Sequence, residues 1–87
     1  MKVKPYHILV KHEYEARDIL RMLESGKSFE DLAKKFSTCG SNQNGGFLGE
    51  VDSKRLDPDF MDAFDLLKPG QISKPTRTSF GWHIIKK

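Results

Sequence analysis

Two histidines and one cysteine are the side chains of this sequence best suited to chemistry. His7 and His83 each lie in an apolar run near opposite ends of the chain, and Cys39 lies in a polar segment between them. An imidazole exchanges protons near neutral pH, and a thiolate is a strong nucleophile. If the fold brings these segments together, the three side chains form one site for proton transfer, nucleophilic attack or hydrogen bonding.

Each of these side chains also has a simpler interpretation. A cysteine with distant histidines is the outline of a thiol hydrolase, but the sequence around Cys39 lacks the local signatures of the thiol-protease families. Cys39 also fits a small, buried apolar residue. The histidines equally fit a hydrogen-bonded pair that joins two strands.

Three classes of binding are not favoured by the sequence. His7, His12 and His83 have no cysteine or carboxylate at the spacing of metal ligands, which predicts no metal site. The glycines of segment 45–49 lack the lysine-serine pair of a phosphate-binding loop and instead indicate turns. The net charge of +3 comes from scattered residues without a basic block, so nucleic-acid binding is not expected.

The length and composition predict one small soluble domain. With 87 residues the chain is expected to form a single domain over 1–87. Its apolar runs are too short for a membrane span or a signal-peptide core. One cysteine excludes an internal disulfide, which fits a cytoplasmic location if the chain is complete. The sequence carries no visible signal for oligomerisation, so we expect a monomer.

The segments that carry the histidines have the pattern of strands. Residues 2–11 alternate, with Tyr6, Ile8 and Val10 on one face and His7 and Leu9 on the other. Segment 82–86 is the predicted final strand, and 47–51 a short one. The first and last strands are the most apolar runs, so we expect them to be central partners that bring the histidines within reach.

Three further segments repeat apolar residues at helical spacing. The first contains Ala16 and Ile19 and ends at Gly26, and the second begins at the capping residue Ser28. The third begins at Asp57, and the segment 68–70 stops it. Strands and helices in this order predict an α+β domain with helices packed around a small sheet.

Six motifs follow one another along nearly the whole chain. They are His7-Ile8-Leu9-Val10-Lys11, Phe29-Glu30-Asp31-Leu32-Ala33, Phe36-Ser37-Thr38-Cys39, Gly45-Gly46-Phe47-Leu48-Gly49-Glu50, Leu67-Lys68-Pro69-Gly70-Gln71-Ile72-Ser73 and Phe80-Gly81-Trp82-His83-Ile84-Ile85-Lys86. In this order and spacing, they resemble the parvulin family of peptidyl-prolyl cis/trans isomerases.

The resemblance implies a fold, a reaction and a set of site residues. The fold is a four-stranded antiparallel sheet surrounded by three to four short helices, with a proline-binding hollow on its concave side. Carried over by position, the catalytic residues are His7, Cys39, His83 and Thr78, and the substrate-binding residues are Leu48, Leu56, Phe60 and Phe80. From the sequence alone, Leu48, Leu56 and Phe60 also fit ordinary core residues.

The implied reaction needs no cofactor. Rotation about an Xaa-Pro bond crosses a barrier of roughly 18–20 kcal/mol because it breaks amide resonance. A site accelerates it by binding the twisted amide better than either planar isomer. We expect the apolar pocket to contribute most, and the polar cluster of His7, Cys39, Thr78 and His83 to tune it.

The expected partners are proline-containing peptides and unfolded or folding proteins. The segment after the first strand runs through Lys11 into Glu13 and is short and acidic, which predicts no strong preference for phosphorylated substrates. Lys54 and Arg55 fit either a preference for an acidic residue before proline or a solvated basic turn. Because Phe47 and Leu56 depart from the family's usual residues, a proline-peptide-binding module or holdase with little catalysis is the alternative function.

Overall fold

The chain combines five short strands with three α-helices and two 3-10 turns. The computed structural model describes the backbone of residues 1–87 and all side chains except those of residues 41 and 42. The strands are β1 (Lys2–Val3), β2 (Tyr6–Val10), β3 (Val51–Asp52), β4 (Thr76–Thr78) and β5 (Gly81–Lys86). The helices are α1 (Glu13–Glu24), α2 (Phe29–Phe36) and α3 (Pro58–Asp65), and the 3-10 turns are Gly40–Asn44 and Ser53–Arg55.

The central sheet is antiparallel and has the strand order β2-β5-β4. Ile8 lies opposite Ile84, and Leu9 opposite His83, so the first and last long strands are direct neighbours as predicted. Side chains alternate between the two faces of a strand. His7 and Leu9 therefore share one face of the sheet with His83, while Ile8 and Val10 lie on the other.

The two faces of this sheet support two separate apolar clusters. The face that carries Ile8 and Ile84 packs against α1 and α2, through side chains such as Ile19 and Phe29. The opposite face carries Ile85, which packs with Val3, Phe60 and Phe64 and brings α3 to the sheet. The cluster with α3 also includes Leu48 and Leu56, half-buried at its margin.

The helix ends follow the capping signals in the sequence. Ser28 Oγ accepts a hydrogen bond from the Asp31 amide, and the Asp57 carboxylate accepts one from the Asp59 amide at 2.8 Å. Gly26 follows α1 with a φ of +102°, the conformation predicted for that helix end. Among the described residues, no helix has the length and apolar character needed to cross a bilayer.

The predicted single four-stranded sheet is wrong in its connectivity. Strand 2–11 divides at Pro5, which has no amide hydrogen to continue a ladder, and β1 pairs with β3 in a separate two-stranded sheet. The predicted strand 47–51 is reduced to β3 and one bridge between Phe47 and Tyr6. Its backbone leaves the strand conformation because Gly46 and Gly49 have positive φ angles of 88° and 79°.

Gly46 lies where no side chain fits. A Cβ atom there would come within 2.5 Å of the His7 carbonyl oxygen and 3.2 Å of the Ala33 Cβ. Gly49 has a similar φ angle, but a Cβ there would meet nothing within 4 Å. An alanine at either position would therefore strain the backbone, but only an alanine at Gly46 would also collide with its neighbours.

We expect Gly46→Ala to destabilise the protein more than Gly49→Ala. The left-handed conformation alone costs about 1–2 kcal/mol for a residue with a side chain. Relieving the collision at Gly46 adds about 1–3 kcal/mol. Urea unfolding followed by circular dichroism measures both, and an equal loss in the two variants would contradict the close approach of Gly46 to β2.

Candidate active site

A hollow of about 220 Å³ opens on the α3 side of the central sheet. It contains seven of the eight site residues predicted from the sequence. Thr78, the eighth, is buried and hydrogen-bonded to His83. The lining consists mostly of apolar carbon and comprises His7, Leu9, Cys39, Leu48, Arg55, Leu56, Asp57, Phe60, Phe80 and His83.

The two histidines are joined directly across the strand pair. His7 on β2 lies opposite Ile85, two residues from His83 on β5, so the imidazoles are diagonal neighbours on one face. Their Nδ1 atoms are 2.9 Å apart, and the rings are stacked with centroids at 5.1 Å. Both side chains are about 95% buried, with 5% and 4% of their surface exposed. The structural interpretation of the histidines, a bond between central strands, is therefore present in the fold.

Thr78 extends this hydrogen-bonded chain. Its Oγ1 lies 2.7 Å from His83 Nε2 and accepts a hydrogen bond from the Phe80 amide at 3.1 Å. The Thr78 hydroxyl proton is satisfied when it is donated to His83 Nε2. In that arrangement, His83 Nδ1–H donates to His7 Nδ1, and His7 carries its proton on Nε2.

His7 Nε2 is the unsatisfied end of the chain. It is buried and has no hydrogen-bond partner among the described side chains. A buried donor without a partner costs about 1–3 kcal/mol, so such a group is uncommon in a core. The hydrogen-bonded series Thr78–His83–His7 therefore ends in one unpaired ring nitrogen, on a residue that lines the hollow.

Burial keeps both imidazoles neutral. Loss of hydration, and secondly the charge on His83, lower the pKa of His7 to about 4. Loss of hydration also lowers the pKa of His83 to about 4, although the Asp57 carboxylate acts in the opposite direction. At pH 7, the pair therefore consists of one donor and one acceptor, as the Nδ1–Nδ1 contact requires.

A short polar segment after α2 places Cys39 at the hollow. The buried Ser37 Oγ accepts hydrogen bonds from the amides of Leu9 and Cys39, at 3.1 and 3.4 Å. The Thr38 amide donates to the Leu9 carbonyl at 2.8 Å. These bonds fix the segment to the end of β2, and Cys39 is a partly exposed free thiol.

Aromatic and aliphatic side chains form the apolar wall. Phe60, at 3% exposure, places its ring edge-on to both imidazoles, with centroids 5.7 Å from His7 and 5.4 Å from His83. Leu48 and Leu56 are half-buried beside it. Phe80 is 74% exposed at the turn between β4 and β5. The core interpretation therefore holds for Phe60, which also lines the hollow.

Three residues of the site were not assigned a role there by the sequence. Leu9 and Asp57 line the hollow, and Ser37 holds the Cys39 segment. Leu9 could have been identified because it shares a strand face with His7. For Asp57 and Ser37, local patterns carry no signal of a place in the site. Arg55, which the sequence suggests as one of two basic residues next to the pocket, lies at the margin of the hollow.

The third histidine lies outside this site. His12 caps α1 and stacks on Tyr14, with ring centroids 5.2 Å apart. Within the described part of the chain, no group of three or more histidine, cysteine or acidic side chains is arranged to hold a metal ion. The polar groups of the hollow are therefore the paired imidazoles with the Thr78 hydroxyl behind them, the Cys39 thiol, and the charged groups of Arg55 and Asp57.

The fold and the site define a peptidyl-prolyl isomerase domain of the parvulin type. The family described as rotamase, PPIC-type PPIase domain, matches residues 7–87. The chain belongs to this family, which confirms the family predicted from the sequence.

Known proteins resemble the chain along nearly its full length. Foldase protein PrsA 1 of Bacillus cereus is 43% identical over 86 residues, covering 98% of this chain and 30% of that protein. The crystal structure of the peptidylprolyl isomerase PrsA from Bacillus anthracis has a TM-score of 0.94 at 45% identity, covering 98% of this chain and 40% of that one. The solution structure of NmPin, the parvulin of Nitrosopumilus maritimus, has a TM-score of 0.84 at 41% identity, covering 98% and 92%.

The foldase relatives are much longer than this chain. The chain spans 24–31% of the length of the PrsA proteins that it matches. It corresponds to one domain-sized part of those relatives and to almost the whole of NmPin.

The buried histidine pair makes stability depend on pH. An unfolded histidine has a pKa near 6.5, whereas both native values are about 4. Between these values the unfolded chain binds protons that the native state does not, so stability falls as the pH is lowered. We expect the free energy of unfolding to be constant above about pH 7 and to fall by a few kcal/mol towards pH 4.

Two measurements test this dependence. Urea unfolding of the His12→Gln variant at several pH values removes the third histidine from the comparison. In the folded protein, the ring resonances of His7 and His83 should begin to shift only below about pH 5. Titration of either ring near its ordinary pKa would contradict the neutral, buried pair.

Proposed function

We propose that this chain isomerises Xaa-Pro bonds in peptides and in unfolded or folding proteins, with neither a cofactor nor a covalent intermediate. The observation that carries the proposal is an apolar hollow closed on one side by a neutral, hydrogen-bonded histidine pair. Several longer relatives are described as foldase proteins, which supports folding chains as substrates.

The size and surface of the hollow suit a proline ring. Its volume of about 220 Å³ lies below the roughly 300–1,000 Å³ of pockets for drug-sized ligands. Leu48, Leu56 and Phe60 offer apolar contact from separate chain segments. A proline ring held there leaves the preceding carbonyl free to rotate beside the polar end of the hollow.

The apolar surroundings favour the twisted amide over the planar one. Twisting breaks resonance between the nitrogen and the carbonyl, so the twisted amide has the smaller charge separation. Transfer from water into an apolar site therefore raises the energy of the planar forms more than that of the transition state. This term requires no proton transfer, and isomerisation moves no proton.

The polar chain sets the shape and polarity of the site. Both ring nitrogens of His83 and Nδ1 of His7 take part in the hydrogen bonds that join Thr78, His83 and His7. Only His7 Nε2 is left without a hydrogen bond. We assign to the pair the role of holding β2 and β5 in register beneath the hollow. His7 Nε2–H is the donor available to the rotating carbonyl once bound substrate shifts its surroundings.

Covalent catalysis by Cys39 finds no support in these contacts. An imidazole can act as the base for a thiol only within hydrogen-bonding distance. The one imidazole nitrogen that is not already bonded, His7 Nε2, has no partner among the described side chains, the Cys39 thiol included. Cys39 is therefore assigned to the lining of the hollow.

The family membership and the foldase relatives do not favour the binding-module alternative. Exchange NMR on an unphosphorylated Xaa-Pro peptide separates the two functions. Catalytic amounts of protein should produce cross-peaks between cis and trans signals. Shifted protein resonances without exchange would support a binding module instead.

The cytoplasmic location and the monomeric state stay predictions from the sequence.

The apolar wall should be more important for turnover than an equally large apolar residue elsewhere. Leu56→Ala removes contact with the proline ring, and we expect it to lower kcat/KM by about tenfold. Leu66→Ala is the matched control, because Leu66 is 85% exposed and lies outside the hollow. Full activity in folded Leu56→Ala or Phe60→Ala protein would show that the pocket is not the main contributor.

Phosphorylated substrates should receive no special preference. β2 ends at Val10 and α1 begins at Glu13, so only Lys11 and His12 connect them, and neither lines the hollow. We expect a phosphoserine-proline peptide to exchange within about threefold of its glutamate-proline counterpart, since exposed ion pairs contribute little. Exchange NMR on the two peptides measures the ratio, and a much faster phosphopeptide would contradict this expectation.

A further inference from the structure

Arg55 lies between the hollow and a second, polar groove. It belongs to the lining of the hollow, next to Leu56 and Asp57. It also lines a neighbouring groove of about 220 Å³ with Lys2, Glu50, Val51 and Asp52, at the β1–β3 ribbon. Arg55 is thus the residue that the hollow and this groove share.

The guanidinium of Arg55 is unpaired, unlike the carboxylates of Asp52 and Asp57 near it. Among the described side chains, it has no ion-pair or hydrogen-bond partner, and the residue is exposed. Asp57 accepts hydrogen bonds from the Asp59 amide and, at 3.4 Å, from the Ser79 hydroxyl. Asp52 accepts one from the Lys54 amide. The positive charge at this margin is therefore more available to a ligand than these two negative charges.

Lys54 shows that position, and not charge alone, distinguishes Arg55. The two residues are neighbours in the 3-10 turn Ser53–Arg55, and both are exposed. The two residues are therefore a matched pair of cations. Arg55 lines the hollow and the groove, and Lys54 lines neither.

We infer that Arg55 is a specificity-determining residue, which favours substrates with an acidic side chain directly next to the proline. The inference rests on the proposed function and names its substrate class. A planar guanidinium binds a carboxylate through two parallel hydrogen bonds, and the neighbouring apolar wall partly excludes water from that contact. Two carboxylates, those of Glu50 and Asp52, lie on the groove side. The hollow side has one, Asp57, which already accepts two hydrogen bonds, so we place the favourable contact at the hollow side of Arg55.

The size of the preference follows from the exposure of Arg55. Exposed ion pairs contribute little, and one at the edge of an apolar pocket contributes somewhat more. We expect catalysed exchange of a glutamate peptide to exceed that of its glutamine counterpart by about three- to tenfold. Salt should reduce the ratio, because exposed charges are screened.

Two series of peptides test the inference. Glutamate, glutamine or lysine is placed immediately before the proline in one series and immediately after it in the other. Catalysed cis/trans exchange is then measured for wild type, Arg55→Gln and Arg55→Glu. The glutamate preference should appear in at least one series, vanish in Arg55→Gln, and reverse towards lysine in Arg55→Glu.

Lys54→Gln and Lys54→Glu are the matched controls. They change the net charge of the protein by the same amount as the Arg55 variants do. They therefore measure the effect of overall surface charge on the preference, without a change at Arg55. Both should keep the wild-type preference. The inference is overturned if wild type treats all charges alike in both series, or if the Lys54 variants lose the preference as fully as the Arg55 variants.

The same peptides separate this inference from the proposed function. If wild type produces no exchange with any peptide, the proposed function fails. Titration of the labelled protein with the glutamate and lysine peptides then still measures their relative affinities. A glutamate preference that depends on Arg55 in these affinities supports the role of Arg55 in a binding module, and equal affinities overturn it.

Discussion

The pairing of the first and last long strands is the constraint on which the remaining structure depends. β2 and β5 come from opposite ends of the chain, and their register sets both faces of the sheet at once. On one face Ile8 and Ile84 receive α1 and α2, and on the other Ile85 receives α3. A shift of the pairing by one residue would exchange the two faces of a strand and turn its histidine towards α1 and α2.

The site is a product of this register and not of one local motif. The hollow draws side chains from β2, from the segment after α2, from the turn before α3 and from β5. Ser37 and Thr38 attach the cysteine segment to Leu9, and Ser79 reaches Asp57 at the start of α3. Each wall is therefore held by hydrogen bonds to an element that is distant in sequence. Pre-organisation of this kind suits a reaction whose catalysis depends on the shape and polarity of a surface.

Local patterns predicted the helices well because their signals lie within a few residues. Ser28 and Asp57 cap the helices that they were expected to cap, and the alternation in β2 correctly separated His7 from Ile8. The errors concern pairing, which depends on distant partners. The predicted strand over 2–11 divides at Pro5, and the sequence contains no local sign that β1 pairs with β3. Residue types alone suggested that Cys39 joins the two histidines, and the family resemblance added Thr78.

Because the sheet divides the apolar interior in two, changes on its two sides have different effects on the site. The hollow lies on the sheet face opposite α1 and α2, and Leu48, Leu56 and Phe60 of its apolar wall belong to the cluster around α3. Substitutions on the outer face of α1 therefore reach the substrate only through the register of β2. That face is a suitable position for a tether to a second domain or a surface, whereas insertions near α3 would alter the opening itself.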